Sequence, residues 1–305
     1  MGSERQPTEV TVDGRRLIVT RLSKVLYPDT GFTKGEVIDY YVQVAEHLLP
    51  HVIDRPVTRI RYPHGTGDKS FYEKNAPKGT PDWVRTENLP TPGSTKDRAF
   101  TDFVMVDSVA SLAWLGNLAA LELHVPQWKV ERRREPRHPD RLVIDLDPGE
   151  GADIGDCVEV AIILRDRLAE DGLTAYPKSS GKKGVHLACP IAAEQTDKEV
   201  SAYARAVAYE LSAEHPDLIT GNMRKVHRTG RVLIDWSQNN AAKTTVAPYS
   251  LRNRGAPTIS TPLTWDEMVP DLDGGFAPDA VLERLERDGD LWKPLLDPGP
   301  PVPDV

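Results

Sequence analysis

Two aspartates one residue apart, Asp145 and Asp147, end the apolar run R-L-V-I-D-L-D-P at 141–148. Side chains alternate faces along a strand, so the pair points one way, about 6–7 Å apart along the chain. Like charges at the end of a buried strand repel each other and resist losing water. A cation between them relieves both effects. A second apolar strand, R-V-L-I-D-W at 231–236, delivers Asp235. Three aspartates on two strands are what a two-metal phosphoryl-transfer site requires. An aspartate before Pro-Gly is also a common turn residue, and a lone D-x-D more often closes a turn than binds metal. Asp235 and the basic motifs tip the reading towards metal.

The stretch S-S-G-K-K-G-V-H at 179–186 brackets two lysines with glycines between two expected strands. Such a turn can aim backbone N–H groups, hydroxyls and an ammonium at phosphate oxygens. It is not a P-loop, because G-x-x-x-x-G-K-[ST] is absent and a strand follows. A plain basic hairpin tip is the commoner meaning of G-K-K-G, and His186 also suits a core position. Beyond Asp235, Ser237, Gln238 and Asn239 carry hydrogen-bonding groups suited to ribose or base. Arg252 closes K-T-T-V-A-P-Y-S-L-R at 243–252 and is a candidate triphosphate clamp, since guanidinium engages phosphate bidentately. A polar turn after a core strand explains this third stretch equally well.

The elements that must position these residues follow from pattern. Residues 8–20 predict a hairpin turning at Asp13-Gly14. Thr33 caps a helix from Lys34 to about Leu49, ended by Pro50, with Val37, Tyr40, Tyr41, Val44, Ala45 and Leu48 on one face. Extended pieces follow around 57–62 and 103–106, with 89–98 as a mobile surface loop. A helix near 108–118 leads to a strand at 121–125. After the first aspartate strand come a helix at 156–171, strands at 174–177 and 185–190, and a helix at about 197–213. A loop at 214–230 precedes the second aspartate strand. We expect one catalytic unit over 1–295: an N-terminal lobe to about 120, a metal-binding lobe over 121–260 and C-terminal helices over 261–295. A Pro-rich tail over 296–305 reads as a linker or frayed end.

The chain has 305 residues, 39% hydrophobic and 28% charged, as in an ordinary soluble protein. No run approaches 18 apolar residues, and the N-terminus lacks an apolar signal core. Cys157 and Cys189 show no metal spacing and suggest reduced core thiols. A cytoplasmic, nucleoid-associated protein without membrane contact is expected. The net charge of −8 argues weakly against nucleic acid. Basic runs at 129–137, 178–183 and 224–231, with Arg252 and Arg254, nevertheless abut the aspartate strands, so net charge decides little.

Seven ordered strings closely resemble the archaeo-eukaryotic primase superfamily, specifically the polymerase domains of bacterial non-homologous end-joining ligase D and their stand-alone actinobacterial primase-polymerase relatives. They are S-K-V-L-Y-P (23–28), F-Y-E-K-N-A-P (71–77), L-E-L-H (121–124), V-I-D-L-D-P (143–148), S-S-G-K-K-G-V-H-L (179–187), R-V-L-I-D-W-S-Q-N (231–239) and K-T-T-V-A-P-Y-S-L-R (243–252). The resemblance implies an α+β, mixed α/β core on an antiparallel, RNA-recognition-like sheet. It makes Asp145, Asp147 and Asp235 the metal triad. His124, Ser180, Lys183, His186, Arg228 and Arg252 fall where the family holds the nucleotide's phosphates and sugar, with Gln238 beside them. Phe71 and Tyr72 match an aromatic pair that stacks on a base, apt because every base offers a π-face. Lys24 and Lys34 match positions that engage the 5′-phosphate of a downstream DNA strand. Two manganese or magnesium ions are implied, with ribo- or deoxynucleoside triphosphates as substrates. One ion would activate the primer 3′-hydroxyl and the other hold the triphosphate, with Asp145 and Asp147 bridging both.

The expected function is a DNA-directed primase-polymerase, a nucleotidyltransferase filling short gaps or extending ends in DNA repair. Its partner is gapped or broken DNA, 5′-phosphorylated. No K-x-D-G ligase motif occurs, so joining would need a separately encoded ligase and end-binding repair proteins. Two other readings share the carboxylates: a two-metal nuclease or phosphohydrolase, and a non-catalytic scaffold binding 5′-phosphorylated ends.

Overall fold

The computed structural model describes residues 7–91, 99–130 and 135–305. Most of the expected mobile loop, and residues 131–134 of the first basic run, lie outside these. The N-terminal hairpin pairs β1 (Thr8–Val12) with β2 (Arg15–Val19), turning at Asp13 and Gly14, both at positive φ. Strands β3 (Val25–Tyr27) and β4 (Phe32–Thr33) lead into helix α1 (Lys34–Gln43). Thr33 and Glu36 form a capping box at its start, each side chain meeting the other's backbone N–H.

The expected single helix to Leu49 is two. The chain breaks at Val44 and resumes as α2 (Ala45–Val52), with Pro50 inside rather than at the end. Proline lacks an N–H, so α2 runs on through Pro50 with one backbone bond missing, while the break at Val44 lies six residues before it.

Strands β5 (Pro56–Arg61), β6 (Phe71–Glu73), β7 (Thr86–Pro90), β8 (Phe100–Met105) and, after helix α3 (Val109–Asn117), β9 (Ala120–Val125) build the first sheet. Leu89 and Pro90 therefore belong to a strand, not to the start of a loop, and Leu89 is buried.

The second sheet is made of β10 (Arg141–Pro148), β11 (Tyr176–Ser179), β12 (Val185–Pro190), β13 (Ile219–Thr220) and β14 (Val232–Asp235), in the order β11-β12-β10-β14-β13. All its pairings are antiparallel except β13 with β14. Helices α4 (Ile154–Glu170) and α5 (Asp197–Glu214) begin with capping boxes, Asp153 with Asp156 and Thr196 with Glu199. Their apolar faces cover one side of the sheet, where Leu142, Ile144, Leu146, Leu187 and Ile234 point. Val143 and Ala188 point to the other side and meet Trp292 and Leu295. The aspartates share that second side.

Strand β15 (Thr245–Val246) returns to β9 of the first sheet. The hairpin of β16 (Leu251–Arg254) and β17 (Ala256–Ile259) and helix α6 (Pro278–Asp288) pack near it. The sheets therefore divide the chain differently from the expected lobes. β9 belongs to the N-terminal sheet, and Ala247, Tyr249, Leu251, Ile259, Val281 and Leu285 contribute to the N-terminal core.

The last residues are not a free tail. Val302 is buried and bracketed by Gln195, whose amide bonds both its N–H and its carbonyl. A side chain at Gly299 would overlap the Pro190 carbonyl, so the glycine permits this docking. Six helices and largely antiparallel sheets make a mixed α+β fold among the described residues.

Candidate active site

Register across the second sheet builds the carboxylate centre. Lys178 pairs with His186, His186 with Asp145 and Asp145 with Asp235, on four adjacent strands. Residues directly opposite in antiparallel strands share a face, so the four form a row. Asp147 stands one pleat further along β10. His186 Nε2 lies 3.1 Å from Asp145 Oδ1. Burial drives this imidazole towards its neutral form, so the contact is an Nε2–H donated to the carboxylate. Asp235 accepts from the Ser237 N–H at 2.9 Å, its hydroxyl at 2.6 Å and Gln238 Nε2 at 2.9 Å.

The negative charges press on one another. Asp145's charge, then burial, then Asp235's charge push the Asp147 carboxyl up to about 7. Burial alone would also raise Asp145. The His186 bond and the Lys178 and Arg252 charges outweigh it and hold Asp145 below the usual carboxylate range. Hard oxygen donors with this mutual repulsion fit magnesium or manganese. Among the described residues, however, no three His, Cys, Asp or Glu side chains form a ready metal-binding group. Asp145 is engaged with His186, and Asp235 with Ser237 and Gln238.

The basic turn forms the facing wall. Ser180 Oγ accepts the N–H groups of Lys182 and Gly184, closing the turn. A Cβ on Gly184 would lie 2.2 Å from the Leu146 carbonyl oxygen, so only glycine lets the turn lie against β10 beside Asp147. Between them opens a cavity of about 520 Å³. His124, Asp145, Asp147, Ser180, Lys183, His186, Gln238 and Arg252 line it. Eight residues singled out from sequence, spread over 129 positions, thus meet in one space.

Others lie elsewhere. Arg228 is outside the lining, its Nη2 bonded to the Met223 carbonyl, but its charge is felt at Asp147. Phe71 and Tyr72 are both exposed on β6, and Tyr72 borders a separate cavity with Trp128 and Phe103. Lys24 and Lys34 lie apart in the N-terminal lobe. Lys34 is 5% exposed, its Nζ held by Asn117 Oδ1 at 2.9 Å and Thr20 Oγ1 at 3.2 Å. The suggestion that Ser237 and Asn239 face a ribose or base fails. Ser237 is spent on Asp235, and buried Asn239 bonds both the N–H and the carbonyl of Val143.

Three residues, Glu122, Lys182 and Lys178, entered the sequence reading only within longer strings and not as named site residues. Lys182 lines the cavity beside Lys183. Lys178 is buried with its Nζ on Ser260 Oγ. Glu122 is buried under the cavity's cations. A glutamate inside the apolar strand A-L-E-L-H-V was the available signal for Glu122.

A family model described as "LigD, primase-polymerase domain" matches residues 33–292. The chain is 42% identical over 289 residues to the multifunctional non-homologous end joining protein LigD of Mycolicibacterium smegmatis, covering 95% of this chain and 37% of that protein. It is 34% identical over 276 residues to the bifunctional LigD protein of Bacillus subtilis, covering 90% and 43%. It thus spans about two-fifths of these relatives. It also superposes with a TM-score of 0.86 on the polymerase domain of Mycobacterium tuberculosis Ligase D solved in complex with DNA, at 42% identity, covering 92% of this chain and 98% of that one. The chain belongs to the LigD primase-polymerase domain family, nucleotidyltransferases of primase-polymerase type that act on nucleotides in a metal-dependent reaction.

Proposed function

We propose that this chain adds ribo- or deoxynucleotides to a primer 3′-hydroxyl on DNA, filling short gaps or extending broken ends during non-homologous end joining. One observation carries the reading: Asp145 and Asp147 face Lys182, Lys183 and Arg252 across one cavity. A triphosphate with its metal ions suits such a space, the cations taking phosphate oxygens and the carboxylates taking metal. The DNA held by the Mycobacterium tuberculosis relative supports DNA as the partner.

Asp145, Asp147 and Asp235 would hold two manganese or magnesium ions, and when bound these would activate the 3′-hydroxyl and neutralise the departing pyrophosphate. Ser180, Lys183 and Arg252 bind and orient the triphosphate, while His124, His186 and Gln238 offer hydrogen bonds to its phosphates or sugar. Arg228, whose charge is felt at Asp147, adds a cation for the nucleotide's phosphates or sugar. Phe71 and Tyr72, exposed on an edge strand, offer rings for stacking on a base. Lys24 and Lys34 receive the downstream 5′-phosphate. The chain works as one catalytic domain, in a cytoplasmic, nucleoid-associated setting beside a separate ligase and end-binding proteins.

The test is incubation with gapped, 5′-phosphorylated DNA, manganese and labelled NTP or dNTP, beside the double variant Asp145→Ala/Asp147→Ala. Primer extension is expected and should drop by about a thousandfold in the variant. Shortened primer would instead indicate a nuclease, and binding without chemistry a scaffold.

A further inference from the structure

The cavity's cations converge on one buried carboxylate. Glu122 is 1% exposed in the middle of β9. Its Oε2 lies 2.9 Å from Arg252 Nη1 and 3.1 Å from His124 Nε2. Its Oε1 lies 3.1 Å from Lys182 Nζ and accepts from the Tyr62 hydroxyl at 3.2 Å and the Asn253 N–H at 3.1 Å. A carboxylate has about four lone-pair sites, so these five partners saturate it.

Taken alone, a negative charge beneath a site for a polyanion opposes binding. It makes sense where it holds the cations that do the binding. Glu122 is the acidic partner of Arg252, whose Nε is buried with no partner of its own. Arg252 Nη1 also lies 3.5 Å from His124 Nε2. That nitrogen cannot accept from Arg252 while donating to Glu122, and the shorter contact is the one to the carboxylate. One end of the guanidinium is therefore fixed at the cavity wall that Arg252 lines.

We propose that Glu122 is a positioning residue for nucleotide binding, holding Arg252 and Lys182 as an aligned pair and fixing His124 with its hydrogen on Nε2. Burial depresses the His124 basicity, consistent with a neutral imidazole of defined tautomer. Without the carboxylate, Arg252 and Lys182 would repel each other and lose their common anchor. The inference rests on the reading that this cavity takes a nucleoside triphosphate.

Isothermal titration with ATP and with AMP, both in magnesium, tests it on the whole chain. Wild type is compared with Glu122→Gln, Arg252→Ala and the double variant, each checked by thermal melting. Glu122→Gln should weaken ATP binding about tenfold or more and leave AMP within about twofold, because the loss falls on the triphosphate cations. In primer extension its nucleotide KM should rise further than its kcat falls. In the double variant, Glu122→Gln should add less to Arg252→Ala than its effect in the wild-type chain, since the two share one contact.

ATP binding by Glu122→Gln equal to or tighter than wild type overturns the proposal, as do strictly additive effects. If Glu122→Gln does not melt cooperatively, Glu122→Asp decides. It keeps the charge but withdraws it by one methylene, and an unchanged ATP affinity in that variant likewise overturns the proposal. A wild-type chain that binds no ATP removes the nucleotide reading itself, and the inference with it. Equal binding by wild type and Glu122→Gln removes the inference alone.

Discussion

Lys34 sits at the first position of α1 with its ammonium against Thr20 and Asn117. Burial, with the Arg21 and Lys24 charges adding to it, lowers its pKa to about 8. The folded value lies below the unfolded one near 10.5, so the charged form costs stability below about pH 8. That cost fades as pH rises between the two values. Three cationic side chains, two of whose charges act on the buried ammonium of the third, are what a terminal phosphate would neutralise. The preference for 5′-phosphorylated over 5′-hydroxyl DNA should therefore fall as pH rises from 7 to 9. Fluorescence anisotropy would show it, and the drop should vanish in Lys34→Arg, whose guanidinium keeps its charge. A preference that stays flat in wild type would remove Lys34 from the phosphate site. The lysine itself was legible in the sequence. Its burial was not, because Asn117 lies 83 residues away and only packing of α3 on α1 brings it near.

At the scale of elements, the site depends on two devices that hold strands in place. Asn239 lies just past β14, where its side chain bonds the N–H and the carbonyl of Val143 as a neighbouring strand would. Replacing it by leucine leaves both buried groups unpaired and should cost about 2–4 kcal/mol, read from denaturant melts. Gly184 is the second device. Gly184→Ala forces the basic turn away from the Leu146 carbonyl. It should weaken nucleotide binding at least about tenfold while costing only about 1–3 kcal/mol of stability. Equal nucleotide affinity would mean that the turn does not need to lie against β10. Element types along the chain were readable from periodicity and caps. Asn239 misled because a polar residue after a core strand looks the same whether it faces ligand or backbone.

Across the whole molecule, the C-terminal segment covers part of the aspartate-bearing side of the catalytic sheet. Trp292 packs on Val143 and Ala188 and donates its indole N–H to the Pro177 carbonyl at 3.0 Å. Nearby, Asp290 accepts from buried His51 of α2 and from the Tyr249 hydroxyl at 2.6 Å, joining the N-terminal core to this segment. Trp292→Ala should cost about 3–5 kcal/mol and lower the melting temperature, with the larger effect on stability rather than on nucleotide KM. A melt unchanged from wild type would mean that the segment does not support the sheet. Proline-rich composition suggested a loose end here. Trp292 is buried because the sheet face it covers would otherwise expose Val143 and Ala188 to water, and Val302 is buried in the core on the helix-covered side.

By itself the sequence determined the carboxylate pair on one strand face, the third aspartate, the glycine-bracketed lysines and the family to which their order points. These are local properties, set by the two-residue period of a strand and by the chemistry of each side chain. Only the tertiary structure decided that Asp145 faces Asp235 across a register and that Asp147 feels both charges. It also decided that Arg252 and Lys182 share Glu122 from three distant segments. Such relations depend on which strands become neighbours. That choice is made by burying the faces of α4 and α5 on the sheet, not by any local pattern around the charged residues themselves.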